Sequence, residues 1–193
     1  MKDPIAKIGV LGSSRIPHNT FLYSQGYEVG VALGSRGFTV VTGGGEGFAD
    51  SVTLGALEGG KRRIVNLPEE DDYPMVGLFR YSKAGQAHVE PKTKDEKEAQ
   101  QYLTLVDSLF DVDGYIFLPG GYGTQMELLT VLHAMQTGQI ERRPCCVVGT
   151  THQNMLMRFT ADALKQGYIS NDEIFHSFYK FPINAAHAIC GLA

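Results

Sequence analysis

Between two apolar stretches the chain reads Leu118-Pro119-Gly120-Gly121-Tyr122-Gly123-Thr124-Gln125-Met126-Glu127. The chemistry suited to such a place is anion binding. Glycines at 120, 121 and 123 leave backbone N–H groups unshielded and open conformations closed to other residues. A helix starting directly after them adds its positive end, so a phosphate is favoured there. The same letters also have a purely structural reading, because Thr124-Gln125-Met126-Glu127 has the form of a capping box that satisfies a helix's first N–H groups. Both readings stand, although capping has no need of three glycines.

Two further turns have related compositions. Thr42-Gly43-Gly44-Gly45-Glu46-Gly47-Phe48 repeats the arrangement of glycines between an apolar run and a helical pattern. Gly12-Ser13-Ser14 closes the first apolar run and offers two hydroxyls to a phosphate or a base. Neither a triphosphate nor a dinucleotide fits well. No Gly-Lys-Ser/Thr follows any of the glycines, and Gly9-Val10-Leu11-Gly12-Ser13-Ser14 lacks the Gly-x-Gly-x-x-Gly spacing. A monophosphate or small nucleotide is the better ligand. Glycine makes up 23 of 193 residues, above the average of about 7%, and its clustering at the ends of apolar runs points to close backbone approach to a ligand.

Other residue types add less. The histidines at 18, 88, 133, 152, 176 and 187 show no His-x-x-x-His spacing, and there is no Cys-x-x-Cys, so neither a sequence-local metal site nor a cofactor is expected. Most read as surface or satisfied core residues. His133, within two turns of Glu127, is a candidate ligand contact. The run Lys92 to Glu98 reads as a solvated helix start with Lys94 paired to Glu98, from which a lysine could reach a phosphate.

These turns need a frame. Short apolar runs at Lys7–Leu11, Phe38–Val41, Arg63–Leu67, Gln86–Val89, Tyr115–Leu118, Cys145–Val148 and, more weakly, Tyr179–Phe181 alternate with helical periodicity at 20–35, 48–58, 93–110, 124–137, 154–165 and 185–189. The alternation predicts an α/β, Rossmann-like, doubly wound and mostly parallel sheet of about seven strands with helices on both faces. Residues 1–193 form one domain on this reading, too short for two. The acidic run at 69–72 with Tyr73-Pro74 reads as an exposed loop.

A net charge of −4 is the wrong sign for a protein that neutralises a nucleic-acid backbone. No run approaches the roughly 20 apolar residues of a membrane span. Cys145 and Cys146 are neighbours on a strand and point to opposite faces, while Cys190 is alone. They read as reduced thiols of a cytoplasmic protein.

Pro119-Gly120-Gly121-Tyr122-Gly123-Thr124-Gln125-Met126-Glu127 resembles the Pro-Gly-Gly-x-Gly-Thr-x-x-Glu motif of the LOG family, long mislabelled as lysine decarboxylases. Gly12-Ser13-Ser14, Gly43-Gly44-Gly45, Gln136-Thr137-Gly138 and Pro144 reinforce the likeness from Ile8 to Ile169, with a divergent stretch from Pro68 to Val106. The resemblance implies a Rossmann-like homodimer that binds a nucleoside 5′-monophosphate and hydrolyses its N-glycosidic bond, releasing base and ribose 5-phosphate. Glu127 is the implied catalytic residue. Gly12, Ser13, Ser14, Gly43, Gly44, Gly45, Pro119, Gly120, Gly121, Tyr122, Gly123 and Thr124 would hold phosphate and nucleotide. The chain departs from the family at Thr104 and Leu105, where active members carry an Arg-Lys pair. That loss bears on turnover more than on binding, and leaves open a non-catalytic carrier or sensor, such as the molybdenum-cofactor carrier proteins that share the motif.

Overall fold

The computed structural model of the chain describes residues 7–60 and 109–191. Five strands, β1 (Lys7–Leu11), β2 (Thr39–Thr42), β3 (Gly114–Phe117), β4 (Cys145–Val148) and β5 (His176–Tyr179), form one sheet in the order β2-β1-β3-β4-β5. Every neighbouring pair is parallel, with Gly9 opposite Val41 on one side and Tyr115 on the other. Parallel strands need crossovers, and helices supply them on both faces: α1 (Phe21–Gly34), α2 (Phe48–Gly60), α3 (Tyr122–Gln136), α4 (Thr150–Gln166) and α5 (Pro182–Gly191).

The sheet divides the core by side-chain alternation. Ile8, Val10, Ile116, Leu118, Cys146 and Val148 pack with α1, α2 and α5 on one face. Leu11, Tyr115, Phe117, Cys145 and Val147 pack with α3 and α4 on the other. The two adjacent cysteines therefore do face opposite sides, and burial pushes the Cys146 thiol up to about 11 and Cys145 higher still.

The doubly wound, parallel Rossmann-like architecture expected from the sequence is the one observed. The strand expectations at 63–67 and 86–89, the helix at 93–110 apart from its last two residues, and the acidic loop lie outside the described residues. The weak strand expected at Tyr179–Phe181 begins earlier, at His176. Its edge position leaves it half exposed, so it lacks the apolar run that marks a buried strand, and Pro182 starts α5 directly after Phe181. Helix α4 begins at Thr150, four residues before the periodicity emerges.

One glycine pattern serves packing alone. Gly30 and Gly34 of α1 and Gly55 and Gly59 of α2 bring the two helices so close that a Cβ on Gly30 would stand 2.1 Å from the Val52 carbonyl oxygen, and one on Gly55 2.0 Å from that of Tyr27, while Gly26 makes room for the Ser51 and Phe48 side chains. The two helices touch backbone to backbone. This contact fixes the chain segments that follow β1 and β2, and with them two of the three glycine turns.

Among the described residues no helix is long and apolar enough to cross a membrane.

Candidate functional site

In a sheet ordered 2-1-3 the connections from β1 and β3 leave toward opposite faces, which opens a crevice at the strands' carboxyl ends. All three turns meet at that crevice. Main-chain bonds tie them through Ser13: its N–H donates to the Pro119 carbonyl at 3.0 Å, and its carbonyl accepts the Phe48 N–H at 3.0 Å. Leu118 N–H donates to the Leu11 carbonyl at 2.7 Å just below. Gly12 admits this convergence, since a Cβ there would lie 2.8 Å from the Phe48 ring and 2.9 Å from Leu118.

Helix α3 starts at Tyr122, with Gly121 as N-cap and no side-chain cap. The capping box expected from Thr124 to Glu127 is therefore absent. The helix begins two residues before Thr124, which places that residue inside the first turn, buried against Gly120. The N–H groups of Tyr122, Gly123 and Thr124 open the helix with no capping oxygen and no acidic residue in the first turn. They form the positive end of a four-turn dipole facing the crevice.

The expected conformational reason for the motif glycines is also corrected. None of Gly120, Gly121 and Gly123 has a positive φ, and Gly121 sits at −94°. Gly121 and Gly123 provide clearance, since a Cβ on either would meet nothing within 4 Å, whereas Gly120 admits the Thr124 side chain, whose Oγ1 would lie 2.1 Å from a Cβ there. The second turn differs, because Gly44, Gly45 and Gly47 take φ of 72°, 81° and 70°.

Glu127 lies a turn and a half into α3, half-buried, and reaches toward the second turn, with Oε1 4.0 Å from the position of a Cβ on Gly43. Burial pushes its carboxyl up to about 7. A carboxyl so placed can hold or release a proton near neutral pH. The structure thus gathers Gly12, Ser13, Gly43, Pro119, Gly120, Gly121, Tyr122, Gly123, Thr124 and Glu127 about one crevice. The Ser13 hydroxyl accepts the Arg15 N–H at 3.1 Å, and Ser14 and Gly45 are exposed. Gly44 donates its N–H to Thr42 Oγ1 at 3.3 Å, within its own turn.

His133 is not brought there. It lines an apolar groove of about 310 Å³ between α3 and α4, with Leu129, Leu132, Leu156 and Phe159. Thr104, Leu105, Lys92, Lys94 and Lys97 lie outside the described residues.

Sequence reasoning missed two features of the crevice. Asp50 stands in the first turn of α2, where Tyr23 Oη donates to its carboxylate and His18 Nδ1 lies 3.6 Å away. Burial first, and the Asp50 hydrogen bond second, push the Tyr23 hydroxyl up to about 12. His152 is the other: it reaches Gly120 from 32 residues away, a separation that no local motif announces.

A family model described as "Possible lysine decarboxylase" matches residues 92–183. The cytokinin riboside 5'-monophosphate phosphoribohydrolase LOG1 of Arabidopsis thaliana is 30% identical over 145 residues, which cover 74% of this chain and 62% of that protein. The probable enzyme of the same name, LOGL3, of Oryza sativa subsp. japonica is 29% identical over 140 residues, or 72% and 61%. The chain spans about three fifths of the length of these curated relatives. Among solved structures, the molybdenum cofactor carrier protein MCP of Chlamydomonas reinhardtii matches with a TM-score of 0.54 at 17% identity, over 97% of this chain and 98% of that one. This last likeness is one of fold.

Proposed function

The chain is LOG-like in motif and sequence, and from that premise we propose that it binds a nucleoside 5′-monophosphate and hydrolyses its N-glycosidic bond to base and ribose 5-phosphate. The observation that carries the reading is the pairing of an uncapped, acid-free start of α3 with a half-buried carboxyl at about 7 on the same helix.

The N–H groups of Tyr122, Gly123 and Thr124 would take the phosphate, which sets the ribose between the motif turn and Gly43. Glu127 lies on that side. As the C1′–N bond breaks, its electron pair leaves with the base nitrogen and the sugar gains oxocarbenium character; a water oxygen then bonds C1′ and gives up a proton. The Glu127 carboxylate is suited to stabilise the cationic sugar and orient that water, and its raised pKa suits it to take the proton. Being largely neutral below pH 7, it also repels the phosphate less than an ordinary glutamate.

The test is incubation with AMP, GMP, CMP and a prenylated AMP, following free base by chromatography and binding by thermal shift. Base release that Glu127→Ala removes supports the proposal. Thermal shifts without release would favour the second reading, a carrier or sensor of a phosphorylated ligand, and one observation favours it already: Thr104 and Leu105 stand where active members carry Arg and Lys. We also propose a homodimer, which light scattering checks directly.

A further inference from the structure

His152 is buried, with 1% of its surface exposed, in the first turn of α4 behind the motif turn. Its Nε2 lies 3.1 Å from the Gly120 nitrogen, whose N–H is directed at it, and also 3.1 Å from the Gly120 oxygen. Its Nδ1 is buried without a hydrogen-bond partner among the described residues. The turn that carries it is seated on the same place, since a Cβ on Gly149 would lie 2.9 Å from the Pro119 ring.

Stability alone does not account for this arrangement. A buried ring nitrogen left unpaired costs about 1–3 kcal/mol, and an apolar side chain of similar size avoids the cost. What the imidazole supplies that leucine does not is an acceptor for one particular amide. Burial lowers the His152 pKa and keeps the ring neutral, and in the tautomer with its proton on Nδ1 the Nε2 lone pair accepts the Gly120 N–H that is directed at it. With the Gly120 N–H held inward, the Pro119–Gly120 peptide has a fixed orientation at the entrance to the turn, and the amides that follow it are the ones turned to the crevice.

We propose that His152 is a positioning residue for the anion turn: through Nε2 it anchors the Gly120 amide from behind, so that the N–H groups of Tyr122, Gly123 and Thr124 converge on a bound phosphate. The proposal rests on the phosphate reading of this turn but has a consequence that needs no ligand. A turn already held in the binding geometry loses less entropy on binding, and this is where the affinity gain arises.

The experiment compares the full chain with His152→Leu and His152→Gln, because a glutamine side-chain oxygen can reach the place of Nε2. Three readouts are taken: melting temperature, hydrogen exchange of the Gly120 amide without ligand, and titration with AMP and with inorganic phosphate. His152→Leu is expected to melt close to wild type, because relief of the unpaired Nδ1 offsets the lost Gly120 bond, to exchange Gly120 at least about tenfold faster, and to bind AMP at least about tenfold more weakly, with His152→Gln restoring both to within about threefold. Unchanged exchange in His152→Leu, or a glutamine no better than leucine, overturns the proposal. If wild type binds neither AMP nor phosphate, the phosphate reading fails while the exchange comparison still decides the role of His152. Should His152→Leu not fold, the imidazole ¹⁵N spectrum of wild type decides: a proton on Nδ1 and an accepting Nε2 support the anchor, and a protonated Nε2 contradicts it.

Discussion

The two glycine turns that end β2 and β3 look alike in sequence, and each leads into a helix of similar length, yet they are built on different physics. In the turn before α2, Gly44, Gly45 and Gly47 are needed for shape, because each holds a left-handed φ. A Cβ on Gly47 would also come 2.4 Å from the Ser13 carbonyl oxygen. The positive end of α2 is already matched by Asp50, which Tyr23 and His18 hold in its first turn. In the turn before α3, the glycines have ordinary φ and empty space around Gly121 and Gly123, and no acid or cap meets the helix dipole. A run of glycines at a strand end therefore does not by itself identify an anion site. The helix end must also be left without an internal partner, and of these two turns the one before α3 meets that condition.

The largest effect expected is on chemistry at the α3 side. Glu127→Gln should lower base release by about 10²–10⁴-fold, the range for loss of a positioned acid or base, while AMP binding stays within about threefold. Parallel loss of both in a turnover and binding assay would mean that Glu127 holds the fold of the site instead.

A matched pair of substitutions then separates the two turns. Gly121→Val should weaken AMP binding by at least about tenfold, because a branched side chain enters the anion's space, and leave the melting temperature unchanged, since the added Cβ meets nothing. Gly47→Ala should cost about 1–3 kcal/mol through its left-handed φ and its contact with Ser13, with thermal unfolding as the readout. If the two effects change places, the distinction drawn between the turns is wrong.

How much of this the sequence displayed depends on the range over which each signal acts. Buried strands such as Tyr115–Phe117 and the motif after them are local patterns, so sheet class and crevice were legible. The starts of α3 and α4 were not: Thr124 suits an N-cap, but clearance at Gly121 and Gly123 lets the helix begin earlier, and Gly149 at φ 98° starts α4 before any apolar periodicity shows. The α1–α2 contact was visible in principle, in Gly26, Gly30 and Gly34 spaced by four. A four-residue spacing marks a close-packed helix face but does not say which element packs on it. Asp50 and His152 act across the fold, through Tyr23 and Gly120, and contacts of that kind appear only once the strands are ordered.

Smaller effects sharpen the comparison further. Asp50→Asn should lower the Tyr23 pKa from about 12, as its hydroxyl loses the anionic acceptor, and change phosphate affinity less than about twofold. Tighter phosphate binding by this variant would show that α2 competes for the ligand. Glu127 also gives stability a pH dependence. Its folded pKa of about 7 stands above the ordinary 4.5, so the folded chain retains a proton that the unfolded chain has lost. That contribution is full below about 4.5 and is lost as pH rises through about 7. Denaturant unfolding across this window should show a decline that Glu127→Gln removes.

The most direct measurement is an amide ¹H–¹⁵N titration of the chain with AMP, read residue by residue at both helix starts. The account predicts that the signals of Tyr122, Gly123 and Thr124 move with a common dissociation constant while those of Phe48, Ala49 and Asp50 stay in place. Movement confined to the start of α2, or none at the start of α3 as ligand saturates, would contradict it.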